Sequence, residues 1–123
     1  MPGRPLTPNE GRVVESARHL IGVRAGVANV AAVIRTADGE TFAAVNVSND
    51  VGGICAEAAA LARVLAESTS PPEIIVAARL GGVVTPCGRC RQLMSDRFPD
   101  MAVIACMEGN LRKVPISTLL PHP

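Results

Sequence analysis

Tryptophan and tyrosine are absent from this 123-residue chain, and phenylalanine occurs only twice. A surface that binds single-stranded nucleic acid stacks bases on aromatic rings, so such a surface has little to work with here. Charge of one sign is missing as well. Twelve Lys and Arg against eleven Asp and Glu leave a formal net charge of +1, which provides no electrostatic footprint for a polyanion. No apolar run approaches the roughly 18 residues of a membrane span. The opening Met1-Pro2-Gly3-Arg4-Pro5 lacks the basic-then-apolar order of a secretory signal. The expectation is a cytoplasmic chain with no nucleic-acid or membrane partner. Charged residues make up 19% of it, below the roughly 25% usual for soluble domains, which suggests that part of its apolar surface is covered by copies of itself.

The length suits one domain over residues 1–123. Thr7-Pro8-Asn9-Glu10 reads as a capping box, and Val13, Val14, Ala17, Leu20 and Ile21 recur at helical spacing, so a helix is predicted over 8–22. Two strands over 27–35 and 41–47 flank the turn Ala37-Asp38-Gly39-Glu40. Gly52-Gly53 breaks the chain before an Ala-rich helix over 55–67, which Pro71-Pro72 stops. A buried strand over 73–78, a loop from Gly81 to Pro86, a helix over 88–98 and a strand over 101–107 follow. Glu108-Gly109-Asn110 turns, and 115–120 forms a short helix or turn. Strands alternating with helices give an α/β fold with a mixed sheet covered on both faces.

Four cysteines in a reducing compartment read as ligands or core residues rather than disulfides. Cys55-Ala56-Glu57 and Pro86-Cys87-Gly88-Arg89-Cys90 each stand where a loop enters a predicted helix. Helix N-termini favour thiolates. Two cysteines at i and i+3 can grip one metal ion, and Cys55 would supply a third ligand, leaving a fourth position for water as in a catalytic zinc site. Glu57 is placed to move that water's proton without binding metal. A second reading is a closed, non-catalytic zinc module with Cys106 as fourth ligand, although Cys106 lies in an apolar run and reads as core. A redox dithiol would leave Cys55 and Glu57 unexplained.

Cys-x-Glu followed by Pro-Cys-x-x-Cys is the pattern of the zinc deaminases. The chain resembles the cytidine deaminase family from Ala37-Asp38-Gly39 through Asn46, Cys55-Ala56-Glu57 and Pro86 to Gln92, and on to Leu119-Leu120-Pro121. Within that family, Val45-Asn46-Val47, Gly52-Gly53 and Gly88-Arg89-Cys90-Arg91-Gln92 are similar to the blasticidin S deaminase branch. The resemblance implies an α/β/α sandwich on a five-strand mixed sheet, four of whose strands are clear from the sequence, with a fifth short one expected. It implies Zn2+ on Cys55, Cys87 and Cys90, proton transfer by Glu57, and hydrolytic deamination of the cytosine ring of a free nucleoside. Asn46 would hold the ribose hydroxyls, and the peptide groups around Ala56 and Thr85 would flank the reacting edge of the ring. A homotetramer with sites near subunit interfaces is also implied.

The chain departs from the pattern of ordinary family members in several places. Ala58 stands where most carry an Arg that offsets the net negative charge of a zinc ion on three thiolates, so Arg89 is the candidate for that compensation; Arg91 reads as structural or interfacial. Ser48 replaces a Glu that holds the sugar, with Asp50 nearby as a substitute. Aromatic residues are missing before Ala28-Asn29-Val30-Ala31-Ala32 and after Pro121. Aliphatic groups such as Val27, Val30 and Ile54 would line the pocket instead. His19 and His122 attract no role.

Overall fold

The computed structural model describes residues 3–48 and 52–119. In chain order the elements are β1 (Arg4–Pro5), α1 (Pro8–Arg24), β2 (Ala31–Thr36), β3 (Thr41–Val45), β4 (Val47–Ser48), β5 (Gly53–Ile54), α2 (Ala56–Glu67), β6 (Pro72–Arg79), β7 (Gly82–Val84), α3 (Gly88–Arg97), β8 (Ala102–Met107), β9 (Asn110–Pro115) and a 3₁₀ turn, Ile116–Leu119. The main sheet runs β1-β9-β8-β6-β2-β3, with β7 also paired to β6. Its body is the five strands β3, β2, β6, β8 and β9, mixed because β6 and β8 are parallel while the other pairs are antiparallel. The fifth strand, expected to be short, is β9 with six residues. The two short segments β1 and β7 bring the sheet to seven strands.

Period-two alternation in β2 explains the layers. Ala31 and Val33 pack with Val13, Val14, Ala17 and Ile21 of α1 on one face. Ala32 and Ile34 pack with Ala60, Leu61 and Val64 of α2 and with Met94 of α3 on the other. The result is one helix, a sheet and then two helices. Arg63 ties α2 to β3: it donates to the Ala43 carbonyl at 2.7 Å and lies over the Phe42 ring at 5.7 Å.

The strand expected over 27–35 begins only at Ala31, because the preceding residues turn through an isolated bridge between Ala25 and Ala28. The strand expected over 41–47 is interrupted at Asn46, and Val47–Ser48 pairs instead with Gly53–Ile54 in a separate two-stranded ribbon. Gly53 is required there, because a Cβ would overlap the Val47 carbonyl oxygen and lie 2.7 Å from the Ser48 Cα. Cys106, expected in the core, is exposed. It shares the α1 face of the sheet with buried Ile104, but α1 covers β2 and β6 and leaves the end of β8 open.

The capping box of α1 forms, with the Thr7 N–H donating to Glu10 at 2.9 Å and the Glu10 N–H donating to the Thr7 hydroxyl at 3.3 Å. Glu10 also pairs with Arg4 at 2.6 Å and Lys113 at 3.4 Å, which fastens α1 to both β1 and β9. Burial by itself would raise the Glu10 carboxyl, but Arg4, the Thr7 N–H and Lys113 outweigh it and hold the carboxyl at about 2. A depressed carboxyl stabilises the fold above its unfolded value of 4.5, and that stability is lost as pH falls from there towards 2. Glu10→Gln is therefore expected to lose about 1–3 kcal/mol at pH 7. In urea unfolding the difference from wild type should shrink as pH drops through that window. A gap that stayed constant down to pH 2 would assign the loss to packing rather than charge.

Candidate active site

Two helix starts build the site. Cys55 is the N-cap of α2 and Cys87 the N-cap of α3, both in extended backbone conformation. Cys90 lies one turn into α3 and is buried. The β6–β7 hairpin brings the two starts together. β6 pairs with β2 along its length; on its other edge β8 takes Ile74 and Ile75, and β7 takes Ala77 to Arg79. The hairpin reverses the chain at Leu80-Gly81, and Gly82, which opens β7 opposite Arg79, has a φ of +141°, a backbone conformation that favours glycine. Thr85-Pro86 then delivers Cys87 beside Cys55.

The sulfurs of Cys55, Cys87 and Cys90 all lie within 4.8 Å of one another, and those of Cys55 and Cys87 are 3.9 Å apart. Tetrahedral zinc with Zn–S bonds of about 2.3 Å needs sulfurs roughly 3.8 Å apart, so the donor set fits zinc in kind and in spacing. Cys106 is outside the cluster. With only three thiols gathered among the described residues, the closed four-thiolate module is not built and a fourth metal position stays open.

The thiols differ in how readily they ionise. Burial raises Cys55, as do the Cys87 thiol and the Glu57 charge, and Cys90 only partly offsets this. For Cys87, burial pushes up, but the backbone and side chain of Cys90 and the side chain of Cys55 prevail and lower it. Cys90 is pushed far up, first by burial and then by its neighbours. One thiol is thus prepared to ionise and two must be driven by the metal, so zinc uptake is coupled to proton release.

The cleft over this cluster measures about 490 Å³. Glu57, 6% exposed, lies two residues beyond Cys55 and lines it. Ala56, the first residue of α2 and fully buried, also lines it, as does exposed Thr85. Asn46 sits in the break between β3 and β4. Its side-chain oxygen accepts the N–H groups of Asn29 at 2.8 Å and Val30 at 3.0 Å, and its own N–H donates to the Val30 carbonyl at 3.1 Å. Asn46 is therefore locked by three bonds to one strand entry, and its amide NH2 makes no hydrogen bond among the described residues.

Val30 and Ile54 line the cleft as expected; Val27 does not, and is 80% exposed. Arg89 stands exposed on the first turn of α3 between two of the thiols and is not part of the cleft wall. Arg91 is structural, donating to the Leu119 carbonyl at 2.7 Å to fasten the terminal turn to α3. His19 is an exposed residue of α1. Asp50, His122 and the end of the Leu119-Leu120-Pro121 motif lie outside the described residues. Sequence reasoning missed Arg79, which lines the cleft from the end of β6. Its signal was a lone Arg closing an apolar strand, which has no meaning until the hairpin position is known.

The profile described as "Cytidine and deoxycytidylate deaminase zinc-binding region" matches residues 12–107. The chain belongs to that family. The family match and the three-thiol cluster make it a zinc-binding aminohydrolase of the cytidine and blasticidin-S deaminase type. It is 38% identical over 104 residues to a blasticidin-S deaminase from Bacillus cereus, covering 76% of this chain and 74% of that protein. To a cytidine deaminase from Halalkalibacterium halodurans it is 33% identical over 97 residues, covering 75% and 74%. A crystal structure of cytidine deaminase from Burkholderia pseudomallei superposes with a TM-score of 0.73 at 29% identity, covering 94% of this chain and 98% of that one. One from Bacillus anthracis gives 0.74 at 20% identity, covering 92% and 87%, a likeness of fold alone. Like these deaminases, the chain folds as a mixed sheet flanked by helices. Among the described residues, no helix of this deaminase is long and apolar enough to cross a membrane.

Proposed function

We propose that residues 1–123 form one catalytic domain that deaminates the cytosine ring of a free nucleoside, either cytidine and deoxycytidine or an aminoacyl nucleoside of the blasticidin S type. One observation carries the reading: a buried carboxylate, Glu57, two residues beyond Cys55, lines the same cleft as Cys55 and Cys87, two of the three gathered thiols. Zinc bound there supplies activation of a water molecule at neutral pH. Glu57 takes a proton from the attacking water and hands it to the ring nitrogen beside C4 as the oxygen adds to that carbon. It then takes the proton of the new C4 hydroxyl and passes it to the departing amine, so that ammonia leaves as the C4 carbonyl of the uracil-type product forms. Asn46 holds the sugar hydroxyls with its free NH2. The peptide groups of Ala56 and Thr85 border the ring edge. Arg89, beside Cys90, offsets the excess charge of the thiolates.

Ammonia release from the zinc-loaded protein, given cytidine, deoxycytidine and blasticidin S separately, tests this reading. Turnover of at least one is expected, and the pattern names the branch of substrates. Silence on all three with zinc bound would overturn it.

The chain is also proposed to act in the cytoplasm as a homo-oligomer, a tetramer by the family resemblance. Apolar side chains left exposed at Val47, Ile54 and Leu80 support self-association. Light scattering that returned a monomer would overturn the oligomer.

A further inference from the structure

Arg79 closes β6 and pairs with Gly82 across the β6–β7 hairpin. It lines the reaction cleft and also a second opening of about 380 Å³, bordered by Ala25, Gly26, Ala28, Asn29, Leu80 and Gly81. It therefore stands where the two openings meet. Among the described residues the ion pairs join Arg4, Arg18, Arg63 and Lys113 to Glu10, Glu15 and Glu67, and Arg79 is in none of them. Apart from the thiols, the reaction cleft contains two ionisable side chains among its described lining residues, Glu57 and Arg79. Ser48, also on the cleft wall, is neutral.

We infer that Arg79 is a specificity-determining residue that selects a nucleoside carrying an anionic group, carboxylate or phosphate, beyond its base. This rests on the function proposed above, which commits Glu57 to the reacting ring and leaves Arg79, among the described lining residues, as the charge for the remainder of the substrate. A guanidinium is always protonated and presents its donors as a planar fork that matches two oxygens of a carboxylate or phosphate. A neutral sugar returns no charge to it. Among the described residues no carboxylate forms an ion pair with Arg79, so the fork is available to the ligand. Its position at the junction also lets a group extending from the sugar reach it from either opening.

The test is calorimetric binding of uridine, uridine 5′-monophosphate and uridine 5′-carboxylate to the zinc-loaded protein at low salt, in wild type, Arg79→Gln and Arg79→Lys. The wild type is expected to bind at least one of the anions about tenfold more tightly than uridine, the scale of one charge-assisted hydrogen bond. Arg79→Gln should bring the ratio of uridine to anion dissociation constants close to one, and Arg79→Lys should keep part of it. A preference for phosphate alone or for carboxylate alone supports the inference and names the source of the anion. A wild-type ratio near one, or a preference that survives in Arg79→Gln, overturns it. If ammonia is still released from cytidine in that case, the loss falls on Arg79 alone; failure of all three nucleosides to bind overturns the nucleoside reading together with this one.

Discussion

Glu57→Gln is expected to lower ammonia release by about 10²–10⁴-fold, the range spanned by a single positioned proton-transfer group, while the protein keeps its zinc. Glutamine preserves the size of the side chain and its place on the first turn of α2, but it can neither take a proton from water nor deliver one to the ring. The separation of metal content from turnover is the informative part. Glu57 is buried in the cleft wall and is not one of the three gathered ligands, so its loss should leave the thiol cluster intact. Full turnover in the variant would remove Glu57 from the mechanism. Loss of zinc together with activity would instead make it part of the metal centre.

The second large effect concerns the thiols. Cys55→Ser, Cys87→Ser and Cys90→Ser each delete one of three metal bonds and should weaken zinc by more than about 10²-fold, since a catalytic site has no spare protein ligand. Cys106→Ser should hold zinc as wild type does, because Cys106 is exposed on β8 and outside the cluster. Metal analysis after dialysis against a weak chelator reads this directly, with circular dichroism to show that each variant is folded. Zinc retained by Cys87→Ser, or lost by Cys106→Ser, would contradict the site. The same chemistry sets the pH response. Cys55 and Cys90 are raised and must give up protons to bind metal, so affinity should fall as pH drops.

Much of this was legible in one dimension because it depends on short spacings. The capping box at Thr7 and Glu10 formed as read. Cys87 and Cys90 face one centre because three residues make most of a helical turn, and Glu57 shares a helix turn with Cys55. Continuous apolar runs marked β6 and β8 because both faces of the sheet are covered. By contrast, β9 was illegible, since Asn110, Leu111, Arg112, Lys113 carries neither a clear alternation nor a buried run; it forms because β8 offers it an edge. Cys106 misled for a related reason: an apolar neighbourhood in sequence does not reveal where a covering helix ends.

Three relations could be read from short spacings alone: which thiols meet, that two helix starts present them, and that Glu57 follows Cys55 by two residues. Local spacing sets those relations within a turn or two of backbone. What surrounds that centre follows from the folded chain. It locked Asn46 to the entry of β2, left Arg89 outside the cleft wall, and placed Arg79 on it through a hairpin whose position depends on the half of β6 that β8 leaves unpaired. Those placements arise from pairings between distant parts of the chain, which no short pattern encodes.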